Sequence, residues 1–220
     1  FIANLIASAF ALLMLLPEIL KIHFQFDTVL WKKMMKYALP LLVAGLAGMT
    51  NETFDRAILK YLLPENIANS ELGIYGACYK VSIIMTIFIQ TFRYAAEPFF
   101  FSQAGKGNEK QLYADVMKYF VIICSIIFLG TMMNISWIQN FVGEDFRAGI
   151  KTVPILLVAN LLLGVFLNLS IWYKLTNQTK FGAWFMILGA AITLIGNFVF
   201  IPQYSYMASA WTTLICYAVM

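Results

Sequence analysis

Residues 35–63 read MKYALPLLVAGLAGMTNETFDRAILKYLL, and this stretch decides the class of fold. A helix that spans a membrane needs about 20 mostly apolar residues, and this run is longer. It nevertheless contains the polar cluster Asn51-Glu52-Thr53-Phe54-Asp55-Arg56. A second apolar run, residues 74–102, contains Arg93-Tyr94-Ala95-Ala96-Glu97. A charge near the bilayer centre costs at least ~2.5–3.5 kcal/mol, so such residues usually face a bundle interior or a watery cavity.

The composition indicates an integral membrane protein. Hydrophobic residues make up 61% of the chain and charged residues 12%, with a mean hydropathy of +0.78. Soluble domains are roughly 25% charged. The net charge of +4 is spread singly between apolar runs, which argues against a nucleic-acid partner. Three widely spaced cysteines and a single histidine, His23, predict no metal site, no cofactor and no histidine-based catalysis.

The apolar runs predict an all-α, polytopic helical bundle with about six transmembrane helices and a truncated seventh. The predicted helices are residues 1–20, 35–63, 74–102, 119–137, 153–173, 181–201 and 206–220. Short polar loops are predicted at 64–72, 103–111, 139–149 and 174–180, and a longer connector at 21–33. Pro64 and Pro202 are expected to end the second and sixth helices. Because both chain ends lie inside apolar runs, we expect an internal piece of a larger membrane protein.

The lysine distribution predicts the orientation. Nine lysines flank alternate loops, and they are Lys21, Lys32, Lys33, Lys36, Lys106, Lys110, Lys118, Lys174 and Lys180. The opposite side carries two basic residues, Arg147 and Lys151. Lysine and arginine accumulate on the cytoplasmic side of membrane proteins. We therefore expect the 21–33 connector to be cytoplasmic.

The charged residues inside the runs are candidates for a polar route through the bilayer. Glu52, Asp55 and Arg56 share one helix face at spacings i, i+3 and i+4. Lys80, on the antiparallel third segment, lies at a depth from which it could meet Asp55. Arg93 and Glu97 are one turn apart. Two interpretations stay open, ion pairs that lock helices together and the wall of a water-filled cavity, and an acid in such a cavity could also take up a proton or a sodium ion.

The later segments carry weaker polar stripes. Asn160, Gly164 and Asn168 recur every four residues on the fifth segment, and Asn197 follows a row of small residues on the sixth. Small residues let helices approach closely and asparagine bonds across them, so helix packing is favoured over a cavity lining. Pro40 and Pro98 free backbone carbonyls inside helical runs and are hinge candidates. The full set of candidate cavity residues is Asn51, Glu52, Asp55, Arg56, Lys80, Arg93, Glu97, Asn160, Asn168 and Asn197.

Several of these stretches are similar to one family. Residues 36–42 (KYALPLL) with Phe54-Asp55-Arg56 resemble the seventh helix of polysaccharide flippases. Residues 73–80 (GIYGACYK) and 92–102 (FRYAAEPFFFS) resemble the two ends of that family's next helix. Pro202, Tyr204, Tyr206 and the run AWTTL at 210–214 resemble the start of a late helix. The family belongs to the superfamily of multidrug, oligosaccharidyl-lipid and polysaccharide exporters.

The resemblance implies a two-lobe transporter in the bacterial inner membrane. Residues 1–20 would be the last helix of the N-terminal lobe, 21–33 the cytoplasmic connector and 34–220 a truncated C-terminal lobe. The partners implied are the lipid bilayer, the missing N-terminal lobe and a lipid-linked oligosaccharide, which moves to the outer leaflet by alternating access. In some drug-exporting relatives, acids on the seventh and tenth helices bind a cation. Glu52 or Asp55 is similar to the first acid, but Asn160 replaces the second, which weakens proton or sodium coupling there.

Three alternatives to a flippase stay open. A multidrug or cation-coupled exporter of the same superfamily would favour aromatic and acidic cavity residues. An integral polysaccharide polymerase or ligase needs long external loops, and every predicted loop here is short. A structural membrane partner has no need of charges within its spans. Several basic residues in the spans favour the flippase, and no enzyme is expected.

Overall fold

The computed structural model describes residues 2–21, 26–103, 105 and 109–220, and for Glu109 only the backbone. All regular structure among them is helical, as predicted. The α-helices are α1 (Ile2–Ile19), α2 (Thr28–Leu62), α3 (Glu65–Gln103), α4 (Glu109–Met133), α5 (Ile135–Ile138), α6 (Val153–Leu169), α7 (Ile171–Leu175), α8 (Lys180–Tyr204) and α9 (Tyr206–Val219). Two 3₁₀ helices, Gln139–Phe141 and Glu144–Thr152, join α5 to α6. The predicted all-α membrane fold is confirmed.

Five of the described helical stretches are long and apolar enough to cross a membrane. They are Ile2–Ile19, Glu65–Gln103, Lys110–Met133, Glu144–Leu175 and Lys180–Tyr204. Helix α2 has ample length, 35 residues, but its lysines and the polar cluster around Asp55 lower its mean hydropathy. Helix α9 has 14 residues, fewer than a span requires. The second and seventh predicted segments are therefore helical, but α2 is not apolar enough and α9 is not long enough to count as a membrane span.

The predicted loop at 64–72 is wrong, because α3 begins at Glu65. The Pro64 carbonyl accepts hydrogen bonds from the N–H groups of Ile67 and Ala68, which starts the helix directly after the proline. An acidic residue in the first turn suits the positive end of the helix dipole. Ala68 is buried in the core, and Leu72 packs against it. The polarity of this segment favoured a loop, but packing against the core keeps it helical.

Other helix boundaries also differ from the prediction. Helix α4 begins at Glu109, ten residues before the predicted start at 119, because its first turns are too polar to register as an apolar run. Helix α8 continues through Pro202 to Tyr204, since a proline this close to the end removes few helical hydrogen bonds. The predicted fifth helix is divided at Ser170 into α6 and α7. Parts of the predicted connector 21–33 and loop 103–111 lie outside the described residues, at 22–25, 104 and 106–108.

Contacts between Cα atoms divide the chain into two compact units, residues 1–36 and 37–220. In the first unit, α1 buries none of its described residues, and large side chains such as Leu5 and Phe10 are exposed. Such an apolar surface requires lipid or another protein segment as its neighbour. The lobe and connector boundaries at 1–20, 21–33 and 34–220 stay predictions.

The core of the second unit lies around α6, which contacts α3, α4 and α9. One buried cluster combines Leu59, Tyr75, Leu156 and Ile201 with neighbours from α9. A second cluster joins side chains of α3, α4 and α6 around Phe120. The three cysteines, Cys78, Cys124 and Cys216, are free and buried, as expected of small apolar packing residues.

Gly164 on α6 provides a prediction about this packing. A Cβ atom built there would lie 2.5 Å from Cζ of Phe120, whose ring is buried and lies 4.8 Å from that of Phe92, centroid to centroid. We expect Gly164→Ala to destabilise the protein by about 1–3 kcal/mol, since the buried Phe120 ring must shift to admit the added methyl group. Gly130→Ala on α4 is the matched control, because nothing lies within 4 Å of its added Cβ. Thermal unfolding in detergent measures both, and equal midpoints would contradict the prediction.

Candidate functional site

A polar cavity of about 290 Å³ lies within residues 37–220, where α2, α3, α6, α7, α8 and α9 meet. Helix α2 contributes a row of small residues, Ala44, Gly45 and Gly48, that leaves the space open. The polar and aromatic residues on its wall are Asn51, Glu52, Gln90, Arg93, Ser170, Tyr173, Lys174 and Tyr217. Four helices that are distant in sequence therefore bring charged, amide, hydroxyl and phenol groups to one space.

Arg93 is the cation of this wall that has no carboxylate partner among the described residues. Helix α3 holds it half-buried, and its Nε atom is buried with no hydrogen-bond partner among the residues that the structure describes. Its guanidinium carbon lies 5.8 Å from the centre of the Tyr94 ring, a weak cation–π contact. In the part of the chain that the structure describes, Arg93 forms no ion pair. A partly desolvated guanidinium in this state is suited to binding an anion from outside the chain.

Glu97 pairs with Lys174 instead of with Arg93. The Lys174 Nζ atom donates to Glu97 Oε1 at 2.5 Å, and the two side chains are 19% and 33% exposed. The one-turn spacing of Arg93 and Glu97 suggested a pair on α3, but Lys174 reaches the carboxylate from α7. This ion pair occupies the Glu97 carboxylate, so Glu97 does not act as the partner of Arg93.

Asp55 lies in a buried cluster next to the cavity wall. Its side chain is 1% exposed, and Tyr75 donates its hydroxyl proton to Asp55 Oδ2 at 2.7 Å. The N–H of Arg56 donates to Oδ1 at 2.7 Å. The Arg56 guanidinium lies over the Tyr79 ring, 4.3 Å from its centre. Asp55 and Arg56 thus bind two tyrosines that occur one turn apart on α3.

The predicted contact between Lys80 and Asp55 is absent from the described structure. Lys80 is exposed and forms no ion pair among the described residues. One residue along a helix turns the side chain by about 100°, so Lys80 points away from the face that Tyr75 and Tyr79 present to α2.

The three later asparagines lie away from the cavity wall. Asn160 donates its Nδ2 to the Ser82 carbonyl at 3.4 Å, which joins α6 to α3. Asn168 directs Nδ2 towards Met117 Sδ at 3.8 Å. Asn197 is fully buried in α8, and neither amide atom has a hydrogen-bond partner in the described part of the chain. These positions agree with the helix-packing interpretation, whereas Asn51 does line the cavity.

Both hinge candidates lie inside continuous helices. Pro40 is within α2 and Pro98 within α3. Pro98 directly follows Glu97, so the ion pair with Lys174 lies beside one of these prolines. A moving hinge at either position stays a prediction.

Five polar or aromatic residues of the cavity wall were not among the predicted site residues, and they are Gln90, Ser170, Tyr173, Lys174 and Tyr217. Gln90 stands one turn before Arg93, and this spacing was a signal in the sequence. Ser170, at the end of α6, and Tyr173 and Lys174 of α7 also reach the cavity, and no local pattern in the sequence indicates which face they present. Tyr217 lies in the last turn of α9, where a tyrosine suggests an interfacial position.

A bundle of membrane-length helices around a polar cavity defines a class of polytopic membrane protein. No family model matches the chain, and no curated protein matches its sequence. Among solved structures, it matches a multidrug resistance MATE family transporter of the MOP superfamily in an outward-facing conformation, with a TM-score of 0.67 and 14% sequence identity. The match covers 86% of this chain and 42% of the transporter, so the chain spans less than half of that protein. The likeness shows a shared fold.

Proposed function

We propose that the protein is a membrane transporter of the MOP superfamily that flips lipid-linked oligosaccharides from the cytoplasmic to the outer leaflet. The observation that carries the proposal is Arg93, a half-buried guanidinium on a cavity wall with no carboxylate partner among the described residues. The fold of the chain is similar to that of a transporter, and its motifs resemble those of polysaccharide flippases. Both likenesses support a membrane transporter. The site of action would be the bacterial inner membrane.

The chemistry of the substrate explains why such a cavity is needed. A sugar–pyrophosphate headgroup cannot cross hydrocarbon unaided, because its polar groups would lose their hydrogen bonds. Arg93 binds the phosphate charge, with Gln90, Ser170 and Asn51 as hydrogen-bonding groups for phosphate and sugar oxygens. Arg56 is less suited to this role, since its guanidinium lies over Tyr79.

Alternating access then comes from one lobe rocking against the other around this cavity. The opposite wall would belong to the N-terminal lobe. A proton or sodium ion remains a candidate driver, with Glu52 as the exposed acid on the wall and Asp55 as the buried acid beside it.

A multidrug exporter is the second candidate function. Tyr173 and Tyr217 line the cavity together with Glu52, and aromatic faces with a carboxylate suit cationic amphiphiles. The matched transporter is itself described as a multidrug resistance protein. The Arg93 cation favours the anionic substrate over this alternative.

Deletion of the gene separates the two candidates. We expect lipid-linked oligosaccharide to accumulate in the cytoplasmic leaflet, with drug sensitivity unchanged, and the intact gene to reverse the accumulation. Leaflet location is measured by the accessibility of the sugar to an impermeant glycan-modifying enzyme in inside-out and right-side-out vesicles. Normal lipid distribution with increased drug sensitivity would contradict the flippase and support the exporter.

A further inference from the structure

A second space lies on the outer side of the contact between α2 and α8. This groove of about 230 Å³ is lined by Leu39, Pro40 and Val43 of α2 and by Lys180, Ala183, Trp184 and Ile187 of α8. Trp184 is 71% exposed and Leu39 is 55% exposed. The wall is apolar along its length, and Lys180 is its one charged residue.

One hydrogen bond and one close approach of side chain to backbone bound the groove between α2 and α8. The Thr179 hydroxyl donates to the Tyr37 carbonyl at 3.1 Å, which fixes the start of α8 on α2. Further along, a Cβ atom built on Gly48 would lie 3.8 Å from Met186 Sδ, an ordinary packing distance. Between these two points the helices leave an apolar cleft. A polar group placed in it would lose its hydrogen bonds, whereas an apolar chain has none to lose.

The groove and the polar cavity lie on the two sides of this helix contact. On α2, groove residues Pro40 and Val43 alternate with cavity residues Leu41 and Ala44. On α8, cavity residue Met186 adjoins groove residue Ile187. A lipid with its chain in the groove therefore has its headgroup within one helix width of the cavity.

Lys180 adds charge complementarity for an anionic lipid. It is exposed, it is the first residue of α8, and it forms no ion pair in the described ranges. The first turn of α8 contains no acidic residue, so the positive end of the helix adds to the charge of Lys180. Exposed Lys beside an apolar wall at a membrane surface attracts anionic lipid headgroups.

We propose that the α2–α8 groove binds the polyprenyl chain of the lipid-linked substrate, with Lys180 holding its phosphate before the headgroup enters the cavity. This inference rests on the proposed function, because adjacency to the cavity is what favours the substrate lipid over bulk phospholipid. Pro40 then has a second role, since it is part of the groove wall as well as a hinge candidate.

The chain supplies a matched control groove. A cleft of about 220 Å³, lined by Phe100, Ala114, Met117 and Trp172 among others, has nearly the same volume and no charged residue on its wall. The lysine distribution puts it on the same side of the membrane as Lys180. This control cleft contains no residue of α2. Equal lipid binding at both clefts would indicate that any apolar cleft binds lipid, whereas stronger binding at the α2–α8 groove would indicate a specific site.

Photo-crosslinking tests the proposal in the full-length protein. Benzoyl-phenylalanine replaces Val43 in one variant and Ala114 in the other, and each is reconstituted in phosphatidylethanolamine–phosphatidylglycerol vesicles containing polyprenyl phosphate. After illumination, mass spectrometry counts polyprenyl and phospholipid adducts. We expect polyprenyl adducts at position 43 to exceed those at 114 by about fivefold, and Lys180→Glu to reduce them by about fivefold or more, since each basic residue contributes about 1 kcal/mol to anionic lipid binding, which is a factor of about five. Lys180→Arg should preserve them.

Each other outcome overturns the proposal. Equal adduct ratios at the two positions would identify an unspecific apolar surface, and predominance of phospholipid adducts at position 43 would identify a bulk lipid site. Headgroup transfer is measured in parallel, in vesicles that contain the lipid-linked oligosaccharide. Normal headgroup transfer without polyprenyl adducts at position 43 would refute lipid binding in the groove and leave the proposed flippase function standing. Absence of both, with the protein folded by its unfolding midpoint, would refute the flippase as well.

Discussion

Arg93→Ala is expected to slow transfer of the lipid-linked oligosaccharide between leaflets by about ten- to a hundredfold. A hydrogen bond to a charged group is worth about 1.5–3 kcal/mol, which corresponds to that range of affinity for the phosphate. The fold should survive the change, because Arg93 forms no ion pair with the described residues and its Nε has no partner to lose. The measurement is the initial rate of headgroup transfer in vesicles reconstituted with equal amounts of each protein.

Two variants make the result for Arg93 specific. Arg93→Lys keeps the charge but loses the planar pair of donors, so we expect an intermediate rate. Lys80→Ala removes one positive charge from the same helix, on a side chain that is exposed and absent from the cavity wall, and should leave the rate unchanged. Equal losses for Lys80→Ala and Arg93→Ala would indicate a general charge effect, and a normal rate for Arg93→Ala would exclude the guanidinium from substrate binding.

The helical fold was predictable because a bilayer admits few backbone structures. Runs of 20 apolar residues specify helices directly, and Pro64 marked the end of α2 to within one residue. The start of α3 at Glu65 was not predictable in the same way, since its first two turns are polar. What keeps them helical is the packing of Ala68 and Leu72 against side chains from distant helices.

The candidate site was predictable in residue type and not in pairing. Glu52, Asp55, Arg56 and Arg93 attracted attention because charges inside apolar runs are rare. Their partners depend on which face each helix presents, and helix faces are set by tertiary packing. The ion pair of Glu97 and Lys174 spans 77 positions in the sequence and joins α3 to α7. Local spacing therefore favoured Arg93 as the partner of Glu97.

Asp55→Ala is expected to destabilise the protein by about 2–4 kcal/mol. Asp55 and Tyr75 are 1% and 0% exposed, and their hydrogen bond joins α2 to α3 at 2.7 Å. Removing the carboxylate leaves the Tyr75 hydroxyl and the Arg56 N–H without this acceptor and creates a small cavity. Loss of a buried hydrogen-bond acceptor is among the few mechanisms with effects of this size. The unfolding midpoint in detergent, followed by a thiol-reactive dye that reports exposure of the buried cysteines, measures it.

The amide variant and the tyrosine variants separate charge from hydrogen bonding at this pair. Asp55→Asn keeps an acceptor for Tyr75 and removes a buried charge that lacks an ion-pair partner among the described residues, so stability should be unchanged or higher. Tyr75→Phe leaves the carboxylate without its hydroxyl donor and should cost about 1–3 kcal/mol. Tyr79→Phe is the matched control, because it keeps the ring under the Arg56 guanidinium. In the Asp55→Ala background, Tyr75→Phe should cost clearly less than in the parent protein, since the hydroxyl then has no carboxylate to bind and keeps only its hydrogen bond with Thr213. An additive cost in the double variant would show that the two groups do not stabilise α2 on α3 through this bond.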